Sequence, residues 1–151
     1  MNDESKPLVI AFGCDHAGYL LKNKLIDFAE KQKYVVVDCG TVDHHSVDYP
    51  DFAERVVKKV LEQQADRGVL ICGTGIGMCM AANRHQGIRA ACCYDAYQTF
   101  MARQHNNANI LCLGARILDE KTAFECLITF LQTDFEAGRH QRRIDKIDTF
   151  H

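Results

Sequence analysis

The stretch Val69-Leu70-Ile71-Cys72-Gly73-Thr74-Gly75-Ile76-Gly77-Met78 reads as the end of an apolar strand, a glycine-rich turn and the start of a helix. Uninterrupted apolar runs of this length suit strands covered on both faces. Residues 68–72 form one such run, and 8–13, 34–38, 88–92 and 110–113 form four more. Helical patterns fill the gaps. Leu21, Leu25 and Phe28 mark one helix; Phe52, Val56, Val60 and Leu61 mark the next, with Pro50 suited to its first turn. Residues 76–84 and 94–105 supply two others, and Ala123, Phe124, Leu127, Ile128 and Leu131 draw an apolar stripe along a fifth. Strand and helix in alternation predict a five-stranded parallel sheet between two helical layers, an α/β/α sandwich. With no repeat, linker or low-complexity segment, residues 1–151 are expected to form a single domain.

The tail departs from this pattern. After Gly138 come Arg139-His140-Gln141-Arg142-Arg143, then Ile144, Ile147 and Phe150 at three-residue spacing. That predicts a short amphipathic helix, too short to stand alone in water. Its apolar edge must pack on its own domain or on a second subunit, and the spacing does not choose between them.

Composition narrows the function classes. The chain has 151 residues, 47% of them apolar and 25% charged, which is ordinary for a globular protein. A formal charge of −2 argues against nonspecific nucleic-acid binding. The polar opening Met1-Asn2-Asp3-Glu4-Ser5-Lys6 does not read as a secretory signal, and no apolar run approaches the ~20 residues that span a bilayer. A cytoplasmic protein with no membrane partner is expected. Eight cysteines occur without a Cys-x-x-Cys pair, and Cys14-Asp15-His16 lacks the spacing of a structural zinc site. Reduced thiols, most of them serving as small buried hydrophobes, and no metal are expected.

The glycine-rich turn leaves several backbone N–H groups at a helix N-terminus, a place that binds anions. It lacks the G-x-G-x-x-G spacing of dinucleotide sites. Cys72 stands at the strand's carboxyl end, where a neighbouring helix N-terminus favours a thiolate; the plain alternative is a core cysteine. Asp15-His16 follows the first strand in the same way, at the edge where open α/β sheets bind ligands. If the first and third strands are neighbours, both groups face one crevice. A helix cap for Asp15 and a solvated turn for His16 are the alternatives. Two further groups are candidates for the same pocket. They are Arg103-Gln104-His105-Asn106-Asn107 and the basic cluster of Arg139, His140, Arg142 and Arg143, in which Arg139 and Arg143 share a helical face.

Taken together, Gly13-Cys14-Asp15-His16-Ala17-Gly18, Asp48-Tyr49-Pro50, Cys72-Gly73-Thr74-Gly75-Ile76-Gly77, Ala90-Ala91-Cys92, residues 103–109, Leu113-Gly114-Ala115-Arg116 and residues 138–143 resemble the ribose-5-phosphate isomerase B family. That family also contains galactose-6-phosphate and allose-6-phosphate isomerases. The resemblance runs from about residue 9 to residue 147. It implies a Rossmann-like domain, a sugar-phosphate substrate, no metal or organic cofactor, and a homodimer (or a tetramer) with shared active sites. The tail helix, about residues 139–151, would reach toward the partner.

The resemblance also assigns roles. Cys72 would be the base, as in the cysteine version of the family, since residues 73–78 hold no carboxylate. His105 would open the sugar ring, with Thr74 and Asp15 assisting. His16, Tyr49, Gly73, Gly75, Ile76, Gly77, Asn106 and Arg116 would contact substrate, while Arg139, His140 and Arg143 would hold the phosphate across the dimer. The reaction expected is interconversion of ribose 5-phosphate and ribulose 5-phosphate through an enediolate. Isomerisation of a six-carbon aldose phosphate, or phosphate binding without catalysis, are the alternatives. A thiol-redox protein, prompted by the cysteine content, lacks a paired motif.

Overall fold

The computed structural model of the chain describes residues 6–150; Met1–Ser5 and His151, the two ends of the expected single domain, lie outside the described residues. Five strands run parallel in the order β2-β1-β3-β5-β4, with β1 Val9–Cys14, β2 Val35–Asp38, β3 Arg67–Cys72, β4 Ala90–Cys92 and β5 Ile110–Gly114. Every expected strand is present to within two residues at each end. Alternate residues of the central strands enter two separate cores, which is why these runs are apolar throughout. On one face Ile10, Phe12, Val69, Ile71, Leu111 and Leu113 pack under α1 (Tyr19–Lys31), α4 (Ala96–Asn106) and α5 (Glu120–Gln132). On the other, Ala11, Leu70, Cys72, Ile110 and Cys112 pack under α2 (Tyr49–Leu61) and α3 (Ile76–Ala82). The three-layer α/β/α sandwich is as expected.

Local chemistry sets the boundaries. Pro50 lies in the first turn of α2, where its missing N–H costs nothing. Asp95 and Asp119 cap α4 and α5 by accepting from the backbone N–H groups of Gln98 and Thr122 at 2.8 Å. Strand β4 is shorter than the expected 88–92 because Arg89 and Ala90 find side-chain partners. Arg89 N–H donates to Asn109 Oδ1, and Asn83 takes both the N–H and the carbonyl of Ala90, at 2.8 and 2.9 Å. Those contacts satisfy groups that an edge strand would otherwise leave open.

Two helices show which of the expected apolar residues the chain itself buries. The buried stripe of α5 is Ala123, Cys126, Leu127, Phe130 and Leu131, whereas Phe124 and Ile128 are only half-buried. The tail helix, α6 (Arg139–Asp148), buries Ile144 and His140 within its own chain, but leaves Ile147 and Phe150 mostly exposed.

Candidate active site

Reversal of chain direction between β1→β2 and β2→β3 makes the carboxyl ends of β1 and β3 the topological switch point, where such sheets bind ligands. The residues expected there converge. Cys72 ends β3, is buried, and its Sγ accepts the Gly75 N–H at 3.1 Å. Gly75 turns the chain with φ of 81°, and a Cβ there would lie 3.0 Å from Cys92 Sγ and from Leu113 C. Glycine is therefore required twice over, by conformation and by space. Thr74 stands exposed at the tip, its Oγ1 accepting from Ile76 N–H at 3.3 Å.

Neighbouring elements close around this loop. The N–H groups of Ala115 and Arg116 donate to the carbonyls of Cys72 and Gly73 at 2.9 and 3.0 Å. That pins the Arg116 side chain over Gly73, where an added Cβ would meet its guanidinium at 3.2 Å. Tyr49 lies against Gly77 closely enough that a Cβ would fall 2.5 Å from its ring. Asp15 N–H donates to the Ile71 carbonyl at 3.2 Å, setting Asp15 and His16 beside the end of β3. Gly114 fits under the loop, with a Cβ reaching 2.6 Å from the Thr74 carbonyl oxygen. Both partners there are backbone, so Gly114→Ala should displace the loop. The expected cost is about 1–3 kcal/mol in denaturant unfolding, with turnover falling on the order of tenfold or more. Unchanged turnover in that variant would mean the loop position is not critical.

The alternatives weighed for Asp15 and His16 are partly realised. Asp15 Oδ1 accepts from Ala17 and Gly18 N–H at 2.9 and 3.3 Å, capping the 3-10 turn His16–Gly18. His16 Nδ1 accepts from Val47 N–H at 3.2 Å, which leaves Nε2 as the ring's remaining polar atom. The segment that carries Val47 is anchored by Lys22, a buried ammonium donating to both Asp38 carboxylate oxygens and to the Thr41 carbonyl at 2.7–3.0 Å.

His105, Asn106, Arg139, His140 and Arg143 do not join this group within one chain. A crossover helix runs antiparallel to its strands, so the last turn of α4 lies at the amino edge of the sheet. There the Asn109 carbonyl accepts from Gly68 N–H, whereas Cys72 pairs with Gly114 at the opposite end. About 13 Å of strand separates the two levels.

At the amino edge the second group is itself organised. The rings of His105 and His140 stack with centroids 4.1 Å apart, and His105 Nε2 lies 3.8 Å from Glu136 Oε2. His140 Nε2 is buried without a hydrogen-bond partner, and burial, with His105 and Arg139 nearby, holds its pKa below the ordinary value. Arg139 and Arg143 are exposed beside it. Glu136 escaped the sequence reading because it lies in an irregular segment with no motif. Arg103, which opens the motif at residues 103–107, is buried; it donates to the carbonyls of Thr133 and Ala108 and fixes the approach to α6. Burial, then Arg67, lowers its pKa to about 10. One ligand atom each from His105, Glu136 and His140 lies within 4.8 Å of the others. The near-parallel rings, inclined by 14°, aim their in-plane lone pairs side by side and not at a common centre. A cavity of about 730 Å³ opens on this edge, between Arg89, Asn106, Ile147 and Phe150, and includes none of the glycine-rich loop.

Comparison with known proteins places this geometry. The chain belongs to the family described as Ribose/Galactose Isomerase, whose model matches residues 10–147. It is similar to ribose-5-phosphate isomerase B of Escherichia coli, with 40% identity over 138 residues covering 91% of this chain and 93% of that protein. Among solved structures, ribose-5-phosphate isomerase B of Thermotoga maritima superposes with a TM-score of 0.93 at 48% identity, covering 95% and 99% of the two chains. The Clostridium thermocellum enzyme of the same name gives 0.92 at 46%, covering 93% and 95%.

Proposed function

We propose that the protein is an aldose-ketose isomerase interconverting ribose 5-phosphate and ribulose 5-phosphate, with Cys72 as the base. The observation that carries this reading is the Cys72 sulfur held at the switch point, at the edge of a loop of backbone N–H groups, beside Asp15, His16 and Arg116. Removing a proton α to a carbonyl needs a base and a stabilised oxyanion, and this loop offers both. Its relatives carry the matching name.

In the proposed sequence the phosphate is held by Arg139 and Arg143, with His140 and Arg116 beside them. His105 protonates the ring oxygen as the ring opens, and Asp15 helps move protons among the hydroxyls. Cys72 thiolate takes the C2 proton, the N–H groups of residues 73–77 and the Thr74 hydroxyl stabilise the enediolate, and the proton returns at C1. Each well-placed donor contributes about 3–4 kcal/mol. His16, Tyr49 and Asn106 orient the sugar. Proton transfer of this kind calls for neither metal nor organic cofactor.

Because the two groups lie at opposite edges of one sheet, this chemistry requires a second copy. A two-fold dimer would bring the amino-edge cluster of one chain to the Cys72 loop of the other. Apolar residues left at the surface support it: Ile76 and Met80 one turn apart on α3, and Tyr94 and Tyr97 at the start of α4, beside edge strand β4. Eight free thiols fit a reducing, cytoplasmic setting. Among the described residues no helix is long and apolar enough to cross a membrane.

Comparing kcat/KM for ribose 5-phosphate, allose 6-phosphate and galactose 6-phosphate tests the substrate. Preference for ribose 5-phosphate is expected, and preference for a hexose phosphate would reassign it. His105→Ala should slow the cyclic sugar at least tenfold more than an open-chain substrate, within the range of general acid catalysis, about 10²–10⁴. Equal losses on both would remove His105 from ring opening.

A further inference from the structure

One charged side chain is buried without a part in the chemistry described above. Lys22 lies on the inner face of α1 with Leu25 and Ala29 and is 1% exposed. An apolar side chain of the same volume would pack there without the desolvation cost of an ammonium. An ammonium donates three times, and Lys22 sends its bonds out of the helix to the chain at the end of β2. They reach Asp38 Oδ1 and Oδ2 at 2.7 and 2.9 Å and the Thr41 carbonyl at 3.0 Å. Asp38 Oδ1 also accepts the Gly40 N–H at 2.9 Å, so the ion pair is built into the turn itself.

That turn is where the sheet lets the chain go. Cys39 N–H donates to the Phe12 carbonyl, the Gly40 carbonyl accepts from Cys14 N–H, and Thr41 N–H donates to the Cys14 carbonyl, at 2.7–3.0 Å. Beyond them, residues 42–48 cross to α2 without regular structure, and most of them are exposed. Thr41 is buried, and Lys22 takes its carbonyl, which sets the direction in which the chain leaves. Further along, the His44 ring meets Tyr19 of α1 edge-on with centroids 4.8 Å apart, and Val47 N–H donates to His16 Nδ1 at 3.2 Å. A backbone N–H can only donate, so Nδ1 carries its lone pair and Nε2 holds the proton of the neutral ring.

We propose that Lys22 is a positioning residue of the isomerase: it sets the course of residues 41–47, whose Val47 N–H fixes His16 as a neutral Nε2–H donor to a substrate oxygen. The tautomer rests on geometry alone, whereas what His16 donates to rests on the isomerase reading. A sugar phosphate presents acceptor oxygens on its hydroxyls and its phosphate, and an N–H held in one direction suits either. Without the Val47 contact the ring could exchange its proton between the two nitrogens and would offer substrate a lone pair part of the time. A bond of this kind is made to bound substrate and transition state alike. Its loss therefore raises KM and leaves kcat little changed.

The experiment compares Lys22→Met, which keeps the stem and removes the donors, with Leu25→Ala on the same face of α1. Long-range proton–nitrogen correlation spectra read the His16 tautomer, with the signal assigned by its loss in His16→Gln. Amide exchange reads the Val47 N–H. The wild type is expected to show Nε2 protonated, Nδ1 bare and the Val47 amide protected. Lys22→Met should show averaged tautomers and an exchanging Val47 amide. Its KM for ribose 5-phosphate should rise about tenfold, as for one lost hydrogen bond, with kcat little changed. Leu25→Ala, although destabilised, should match the wild type in all of these. If Lys22→Met fails to fold, Asp38→Asn decides the matter, because the Asp38 side chain is half-exposed and its exchange disturbs the core less. It should move the same readouts in the same direction, and unmoved readouts there would overturn the proposal. A wild-type His16 protonated at Nδ1, a Lys22→Met variant with the wild-type tautomer or KM, or the same changes in Leu25→Ala would each overturn it too. The spectra need no substrate, so failure of the positioning role is separable from failure of the isomerase assignment.

Discussion

Cys72→Ala is expected to lower turnover of ribose 5-phosphate by about 10³-fold, within the range for loss of a general base, while substrate still binds. The thiol is the group at the end of β3 able to accept a proton within the glycine-rich loop, since residues 73–78 carry no carboxylate or imidazole. Binding should survive because the proposed phosphate contacts come from Arg139, Arg143, His140 and Arg116, not from Cys72. Folding should survive too, since one sulfur is removed and the Gly75 N–H loses a single partner, at a cost of about 1 kcal/mol. The check is a pair of measurements on one preparation: kcat by coupled assay, and substrate affinity by calorimetry. A variant that keeps wild-type kcat would remove Cys72 from the reaction. One that loses kcat and binding together would make it structural.

Mixing two inactive variants should restore activity. Cys72→Ala disables the carboxyl-edge group and His105→Ala the amino-edge group. In a mixed dimer one site carries both lesions and the other carries neither. Random reassociation makes half the dimers mixed, so recovery of about a quarter of wild-type activity is expected. This follows from the topology, because His105 in the last turn of α4 and Cys72 at the end of β3 lie at opposite ends of the same sheet. No recovery after unfolding and refolding the mixture would place both residues in one chain's site, against that separation. Double variants of one chain mixed with wild type give the baseline for the comparison.

The fold was legible because the central strands are apolar on both faces, a pattern that follows from burial and needs no partner information. The Cys72 loop was legible for the same reason, since its glycines follow such a strand directly. Residues 103–107 carry no sign in the sequence of which chain's pocket they would line, whereas the topology bears on it. The end of a crossover helix returns to the amino edge, so residues 103–107 could not face the carboxyl ends of the strands. Glu136 was illegible in a different way, because it sits in an irregular segment with no motif. The apolar spacing of the tail predicted α6 correctly but not that Ile144 alone of the three apolar residues would be buried.

The most direct test of the account is proton NMR of ribose 5-phosphate with the wild-type protein in D₂O containing a metal chelator. Conversion to ribulose 5-phosphate is expected, with deuterium entering at C1 to the extent that the Cys72 proton exchanges before its return. Tight binding of the sugar phosphate with no conversion and no exchange at C2 would contradict it, and would leave a phosphate-binding protein on an isomerase fold.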